Sequence, residues 1–350
     1  DIDEGEVYLS TPATTVIDED TAVLHTDIKL PSTNGGFDVI LWFILWLKFV
    51  AKENSKYHPY LKILPSIEDL KRTSPLFFDD EMINHLSGSD LRLHLIRNRQ
   101  RALDKFRKAS QDINIMRAIG VEHIKLDNYL WAYAMVDSRS IWWNGKRHLV
   151  PLLDLVNCAE LKNARGNYTS PHQTSLSVDN AITKATKSFK KGDQVFENYG
   201  QANHVYFTYH GFVMNDNSHD CALVDMGIDK SDTAASAHNM RETELRLRRN
   251  GFHSFSRSFC IRNLSSLDDL SNFLRIKHQL PGDNVGFGDD VVDLVRDLLV
   301  RRKKLYDRLY RFGHDDKPPY PVSGMKSLVD REKRYFEVLL TELGQPPLQI

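Results

Sequence analysis

The sequence predicts an α+β fold, in which a β domain is interrupted by a helical insert and followed by an all-helical domain. Three observations carry that prediction. Short β-branched and aromatic runs between turn residues fill positions 1–24 and recur between Ile141 and Ile228. Phe37 to Ile119, and the text after Lys230, instead repeat apolar residues at three- and four-residue spacing. The order β, helix, β, helix follows more simply from an insertion within one β domain than from sequential domains. The boundaries are 1–36 and 120–229 for the β domain, 37–119 for the insert and 230–350 for the helical domain. At 350 residues, 41% apolar and 27% charged, the chain can bury real cores.

Taken in order, Val7–Leu9 and Thr14–Ile17 read as strands. Phe37–Lys52 reads as a largely apolar helix, broken at Tyr57-His58-Pro59-Tyr60, with a loop over Ser66–Pro75. Asp79-Asp80-Glu81 places carboxylates at a helix head, where they suit the dipole. Leu91–Ile119 is a long helical pattern, and its arginines and lysines over 92–108 read as a solvated face. Leu126–Val136 is a further helix. Ile141–Trp143 followed by Asn144-Gly145 predicts a hairpin with a type I′ turn. Ala222–Ile228 reads as the last strand. Met240–Arg249, Ser266–His278, Asp289–Phe312 and Met325–Leu343 read as helices.

Composition excludes several classes. A net charge of −1 gives no global field toward nucleic acid or membrane. The basic stretch lacks the interleaved aromatics of a nucleic-acid stacking surface. Val39–Val50 is apolar but contains Lys48 and falls short of the ~20 residues a bilayer needs, so it reads as a core helix. Cys158, Cys221 and Cys260 are odd in number and far apart, which predicts neither a disulfide framework nor a metal cluster. A reducing setting, cytoplasm or nucleus, and a monomer are expected. The chain opens at Asp1 within what reads as a structured element, as a fragment would.

The chemistry concentrates in Leu149–Phe212. Pro151-x-x-Asp154-x-x-Asn157 ends one apolar segment, and Glu197-Asn198-Tyr199-Gly200 ends a second. Gly211-Phe212 and then Asn217-Ser218-His219-Asp220 follow. This set resembles the core of the SET-domain methyltransferases. The class concerned is the one typified by the Rubisco large-subunit methyltransferase and the actin-histidine methyltransferase, and the likeness covers nearly the whole chain. It implies a SET-type β-clip domain with a pseudoknot, split by a helical insert and followed by a helical substrate-binding domain.

The resemblance also implies an activity: S-adenosylmethionine-dependent N-methylation of a lysine, or a histidine, of a non-histone protein. The protein substrate would lie in a cleft between the SET domain, the insert and the C-terminal domain. By the same resemblance, Tyr199 is the catalytic tyrosine, and Asn157 binds the cofactor from the knot. Arg139, His210, Gly211, Phe212 and, more loosely, Asp20 match further cofactor-side positions. Asp154, a carboxylate in an apolar run, either caps local backbone or supports the cofactor pocket. Cys158 stands where the family usually has histidine. The family's first glycine-rich cofactor segment is expected before Asp1, outside this chain. Leu153 stands where the actin-histidine enzyme has tryptophan, which leans toward a lysine substrate. The zinc-binding cysteine cluster of histone-directed SET enzymes is absent. The alternative from another class is a SET-like interaction module without turnover.

Overall fold

The computed structural model describes residues 1–26, 34–118, 124–170, 173–228, 237–282, 285–309 and 320–344. The chain divides into two compact units, one of Asp1–Phe78 with Arg97–His219, the other of Asp79–Ile96 with Asp220–Ile350.

The first unit begins with β1 (Val7–Pro12). Thr14–Ile17 does not continue as a strand. Ala13–Thr15 forms a 3-10 turn after Pro12, and Ile17 alone makes a bridge, to Leu149. α1 (Glu19–His25) follows, capped by the Asp18 carboxylate on the Thr21 amide. α2 (Phe37–Trp46) runs into a π turn over Leu47–Ala51. Together Asn34–Asn54 is long and apolar enough to cross a membrane, but Phe37 and Val39–Leu45 are buried in this unit's core. Tyr57–Tyr60 does not break structure, because Pro59 takes a first-turn position of α3 (His58–Ile63), where its missing N–H costs nothing. The loop expected at 66–75 contains α4 (Ile67–Thr73). Ser66 and Asp69 form a reciprocal capping box there.

α5 (Asp80–Asn84) belongs to the second unit, with Asp79 as its cap. α6 (Asp90–Ala109) stops short of Ile119, and α7 (Ile113–Ala118) restarts after Asp112, whose carboxylate accepts from the Asn114 and Ile115 amides. α8 (Leu126–Arg139) packs on α2 in the first unit, with Phe37 on Tyr133 at 4.8 Å and Trp42 on Tyr129 at 5.6 Å between ring centroids. β2 (Ile141–Trp143) and β3 (Lys146–His148) pair as a hairpin. Asn144 and Gly145 have φ of 50° and 74°, the positive pair a type I′ turn requires.

The apolar run from Leu149 is not a continuous strand. Leu152 turns at φ 76°, Leu153–Leu155 is 3-10, and only β4 (Asn157–Cys158) is extended. β5 (Thr174–Leu176) and β6 (Asn180–Lys184) join β1 in an antiparallel sheet of order β1-β6-β5. β7 (Phe196–Glu197) lies parallel to β4, with Asn157 opposite Phe196 and Cys158 opposite Glu197. That pairing brings the two polar segment ends together. α9 (Asn203–Val205) leads into a π turn over Tyr206–His210, closed by Gly211.

The second unit holds β8 (Ala222–Gly227), α10 (Ala237–Arg249), β9 (Ser256–Ile261), α11 (Asp268–Lys277), α12 (Asp289–Leu309) and α13 (Val322–Glu342). Strand β9 lies in text that reads as helical. Phe259 and Ile261 are buried with Cys260 exposed between them, a period of two that only the pairing with β8 reveals. That pairing also joins Cys221 to Cys260 as a disulfide, against the expectation from their spacing of 39 residues. Cysteine usage therefore no longer argues for a reducing compartment. Glu332 is buried among the second unit's helices, accepting from Ser89 Oγ at 2.7 Å and Tyr306 OH at 2.6 Å.

Candidate functional site

Two cavities of the first unit share a wall. The larger, of about 480 Å³, is reached from Asp137, Ile141, Trp142 and Glu197; the smaller, of about 200 Å³, from Asn157, Cys158 and Phe212. Ser138, Arg139, Asp154, Tyr199, Tyr209 and His210 line both. Of the residues singled out in the sequence, seven thus meet at these cavities: Tyr199, Arg139, Asp154, Asn157, Cys158, His210 and Phe212.

Two do not meet them. Asp20 lies on α1 with its side chain in solvent, bonded to Lys146 at 3.1 Å. Gly211 lines neither cavity. Its φ is +75° and a Cβ there would stand 2.2 Å from the Thr73 carbonyl oxygen, so packing against α4 accounts for the glycine.

Tyr199 emerges just beyond β7. Asn198 fixes that turn from beneath: it is buried, its amide donates to the Thr169 carbonyl at 3.2 Å, and its Oδ1 accepts from the Gly200 amide at 2.9 Å. The Tyr199 hydroxyl donates to the Val156 carbonyl at 2.5 Å, across the β4–β7 pairing. Burial, reinforced by the nearby Cys158 and Glu197, holds its pKa far above the ordinary tyrosine value. Tyr199 is therefore a neutral phenol whose proton is committed to Val156 and whose oxygen lone pairs remain available.

Asp154 and Arg139 form the rest of the shared wall. The Asp154 side chain is fully buried. Its Oδ2 accepts from Tyr60 OH at 2.6 Å and from Arg139 at 3.3 Å, and Arg139 also donates to the Asp154 carbonyl at 2.8 Å. Burial raises the Asp154 pKa, opposed by Arg139 and then by Tyr60. Beside the two roles open to Asp154, the structure adds one more: it anchors the Arg139 guanidinium. Asp154 Oδ1 and Arg139 Nε are buried and have no partner among the described residues. Such atoms are costly unless a ligand meets them.

Beside this pair lies an aromatic cluster. Tyr206 stacks on Phe212 at 4.9 Å, and His210 lies 5.4 Å from Tyr199 and 5.8 Å from Phe212. Burial, then the charge of Arg139, push the His210 pKa down to about 4, so its imidazole is neutral at physiological pH. Cys158 turns its sulfur to Tyr206 OH and Met214 Sδ, each at 3.5 Å, and burial raises its pKa, leaving a protonated thiol.

Sequence reasoning missed Tyr60, Ser138, Tyr209, Asp137 and Glu197 as lining or supporting groups. Glu197 was legible through its place two residues before Tyr199, since alternate residues of an extended segment share a face. Tyr60 and Asp137 had no local signal, because α3 and the end of α8 reach the site only through tertiary packing.

No family model matches the chain. Actin-histidine N-methyltransferases are similar to it: that of Gallus gallus is 29% identical over 194 residues, 52% of this chain and 31% of that protein. The Danio rerio protein is 28% identical over 193 residues, covering 52% and 30%. The match thus spans about a third of the length of these curated relatives. Among solved structures, the SET domain of LSMT bound to lysine and AdoHcy superposes with a TM-score of 0.77 at 18% identity, covering 98% of this chain and 82% of that one. Rubisco LSMT bound to AdoMet gives 0.71 at 19% identity, covering 99% and 85%. The chain thus has the fold of the LSMT SET-domain structures and is similar, over about half of its own length, to the actin-histidine N-methyltransferases.

Proposed function

We propose that this chain is the catalytic region of an S-adenosylmethionine-dependent protein N-methyltransferase acting on a lysine or a histidine. The observation that carries the reading is the shared wall: Tyr199 lines two adjoining cavities. Methyl transfer is an in-line displacement, so the donor and the accepting nitrogen must approach one carbon from opposite sides with water excluded.

The residues present fit the cofactor. Asn157 and Phe212 line the smaller cavity alone, and Arg139, Asp154 and His210 line it with Tyr199. The aromatic cluster, with His210 uncharged, favours a cationic sulfur through its ring faces. Its volume of about 200 Å³ suits the sulfonium end rather than a whole nucleoside. When bound there, the cofactor supplies an electrophilic methyl group.

The chain's own residues do the rest. Tyr199, its hydroxyl hydrogen bonded to the Val156 carbonyl, offers oxygen lone pairs to polarised C–H or N–H groups and so orients them. Arg139 is held by Asp154, and Tyr60 fixes Asp154 in turn. The larger cavity takes the substrate side chain. A lysine has a reference pKa near 10.4 and must first lose its proton, whereas a histidine at ~6.5 is mostly neutral already. Leu153, buried and lining the larger cavity, stands where the actin-histidine enzyme has tryptophan, which leans toward lysine.

The test is to incubate the full-length protein with methyl-labelled cofactor and a cell extract, then identify the labelled residue by mass spectrometry. Label on one lysine or histidine of a protein supports the reading. Cofactor binding without any label on protein contradicts it, and favours a SET-fold interaction module.

A further inference from the structure

Resting on that reading, we propose that the part of the larger cavity lined by Arg101 and Arg147 is a subsite for an acidic side chain of the protein substrate, close in sequence to the residue that is methylated. A cavity of about 480 Å³ is sized for more than one side chain. Its charges are also segregated. Three guanidiniums (Arg101, Arg139, Arg147) and three carboxyls (Asp137, Asp154, Glu197) line it. Asp154 is engaged by Arg139 and Tyr60. Glu197 is held by the neutral Tyr8 hydroxyl at 3.1 Å and has no guanidinium bonded to it among the described residues. Asp137, in contrast, has Arg147 at 3.7 Å and the charges of Arg101 and Lys105 acting on it as well. Lys105 is itself bonded to both oxygens of Asp38 at 2.8 Å. One buried carboxyl thus faces two guanidiniums and, even fully ionised, balances only one of them. The cavity is negative toward Glu197 and positive toward Arg147.

Arg147 is also pre-set for recognition. It lies over the Trp142 ring at 4.6 Å and the Phe37 ring at 5.1 Å, and its Nε donates to the Asn34 carbonyl at 3.3 Å. A guanidinium held between aromatic rings loses little freedom on binding and carries a fork that matches a carboxylate. Arg101 projects from α6 with an exposed side chain, bonded to Asn98 Oδ1 at 3.4 Å and to the neighbouring Tyr209. A substrate segment carrying a basic target residue and a neighbouring aspartate or glutamate satisfies both ends of this cavity at once.

The probes are degenerate peptide pools centred on lysine or on histidine, with either Asp/Glu or Asn/Gln at the three flanking positions on each side. Binding to the full-length protein is measured by fluorescence anisotropy at low and at high salt, without turnover. Acidic pools bind about ten-fold more tightly than amide pools at low salt, as expected for a charge-assisted hydrogen bond. Arg101→Gln, an exposed change compatible with folding, removes most of that preference and leaves cofactor affinity unchanged. Arg147→Lys, which keeps the charge and loses the fork, weakens it. Equal binding of acidic and amide pools, or a full preference in Arg101→Gln, overturns the subsite. Methyl transfer that persists with no such preference removes the subsite alone; a preference that persists without methyl transfer removes the enzymatic reading alone.

Discussion

The Tyr199 hydroxyl donates a hydrogen bond to the Val156 carbonyl at 2.5 Å, and this single bond decides what the phenol can do. Removing the oxygen leaves the ring and its contacts with His210 and Tyr206 in place. Tyr199→Phe is therefore expected to bind cofactor near the wild-type affinity while methyl transfer falls by about 10² or more, measured by single turnover with labelled cofactor. Wild-type turnover in that variant would remove Tyr199 from the reacting groups. Asp154 makes a different prediction. Truncation by Asp154→Ala leaves Arg139 buried without its carboxylate, a loss of about 3–5 kcal/mol readable by urea unfolding. At this scale the sequence showed residue type and order but not partners. Tyr199 and Asn157 were legible because their short motifs keep them at fixed offsets. Tyr60, which holds Asp154 from 94 positions away, was not. Asp20 lines neither cavity, and a loose match of acidic residues says nothing of which face of α1 they occupy.

Among the elements, the turn after α9 shows how close packing fixes a motif residue. Gly211 ends the π turn at φ +75°, and its amide donates to the Tyr206 and Phe207 carbonyls at 2.9 and 3.1 Å. Gly211→Ala meets both a left-handed backbone and the Thr73 carbonyl, so a loss of at least ~2 kcal/mol is expected. Thermal unfolding reads it, and stability equal to wild type would mean the approach to α4 is looser than it appears in the structure. Ser66→Ala tests the unforeseen cap of α4, with an expected cost of about 1 kcal/mol. The hairpin β2–β3 was legible because Asn-Gly carries its own turn geometry. Helix α4 was not, since seven residues between proline and loop signals give no full period, and the cap alone marks its start. Strand β9 was hidden for a related reason: its alternation is short and its charge resembles the helices around it.

On the scale of the whole molecule, two compact units each keep a buried polar network, and only one network lines a cavity described here. In the second unit, burial raises the Glu332 pKa to about 7 despite bonds from Tyr306 and Ser89. A carboxyl that holds its proton more tightly when folded stabilises the fold below its unfolded pKa, near 4.5, and loses that contribution as pH rises through about 7. The unfolding free energy of the wild type relative to Glu332→Gln should therefore fall between pH 4.5 and 7, by on the order of 3 kcal/mol, and level off above. A flat difference would contradict the burial of a titrating group. The β, helix, β, helix order was legible at this scale because periodicity survives over long segments. The assignment of residues 79–96 to the second unit was not, because no composition change marks where the chain leaves the first. What the whole fold positions is the wall shared by two cavities, and the claim that one side holds S-adenosylmethionine is the one most directly open to test. Calorimetric titration of S-adenosylmethionine into the full-length protein should show saturable binding at one site per chain, lost when Phe212→Ala opens the aromatic cluster; no heat of binding to the wild type would contradict the account.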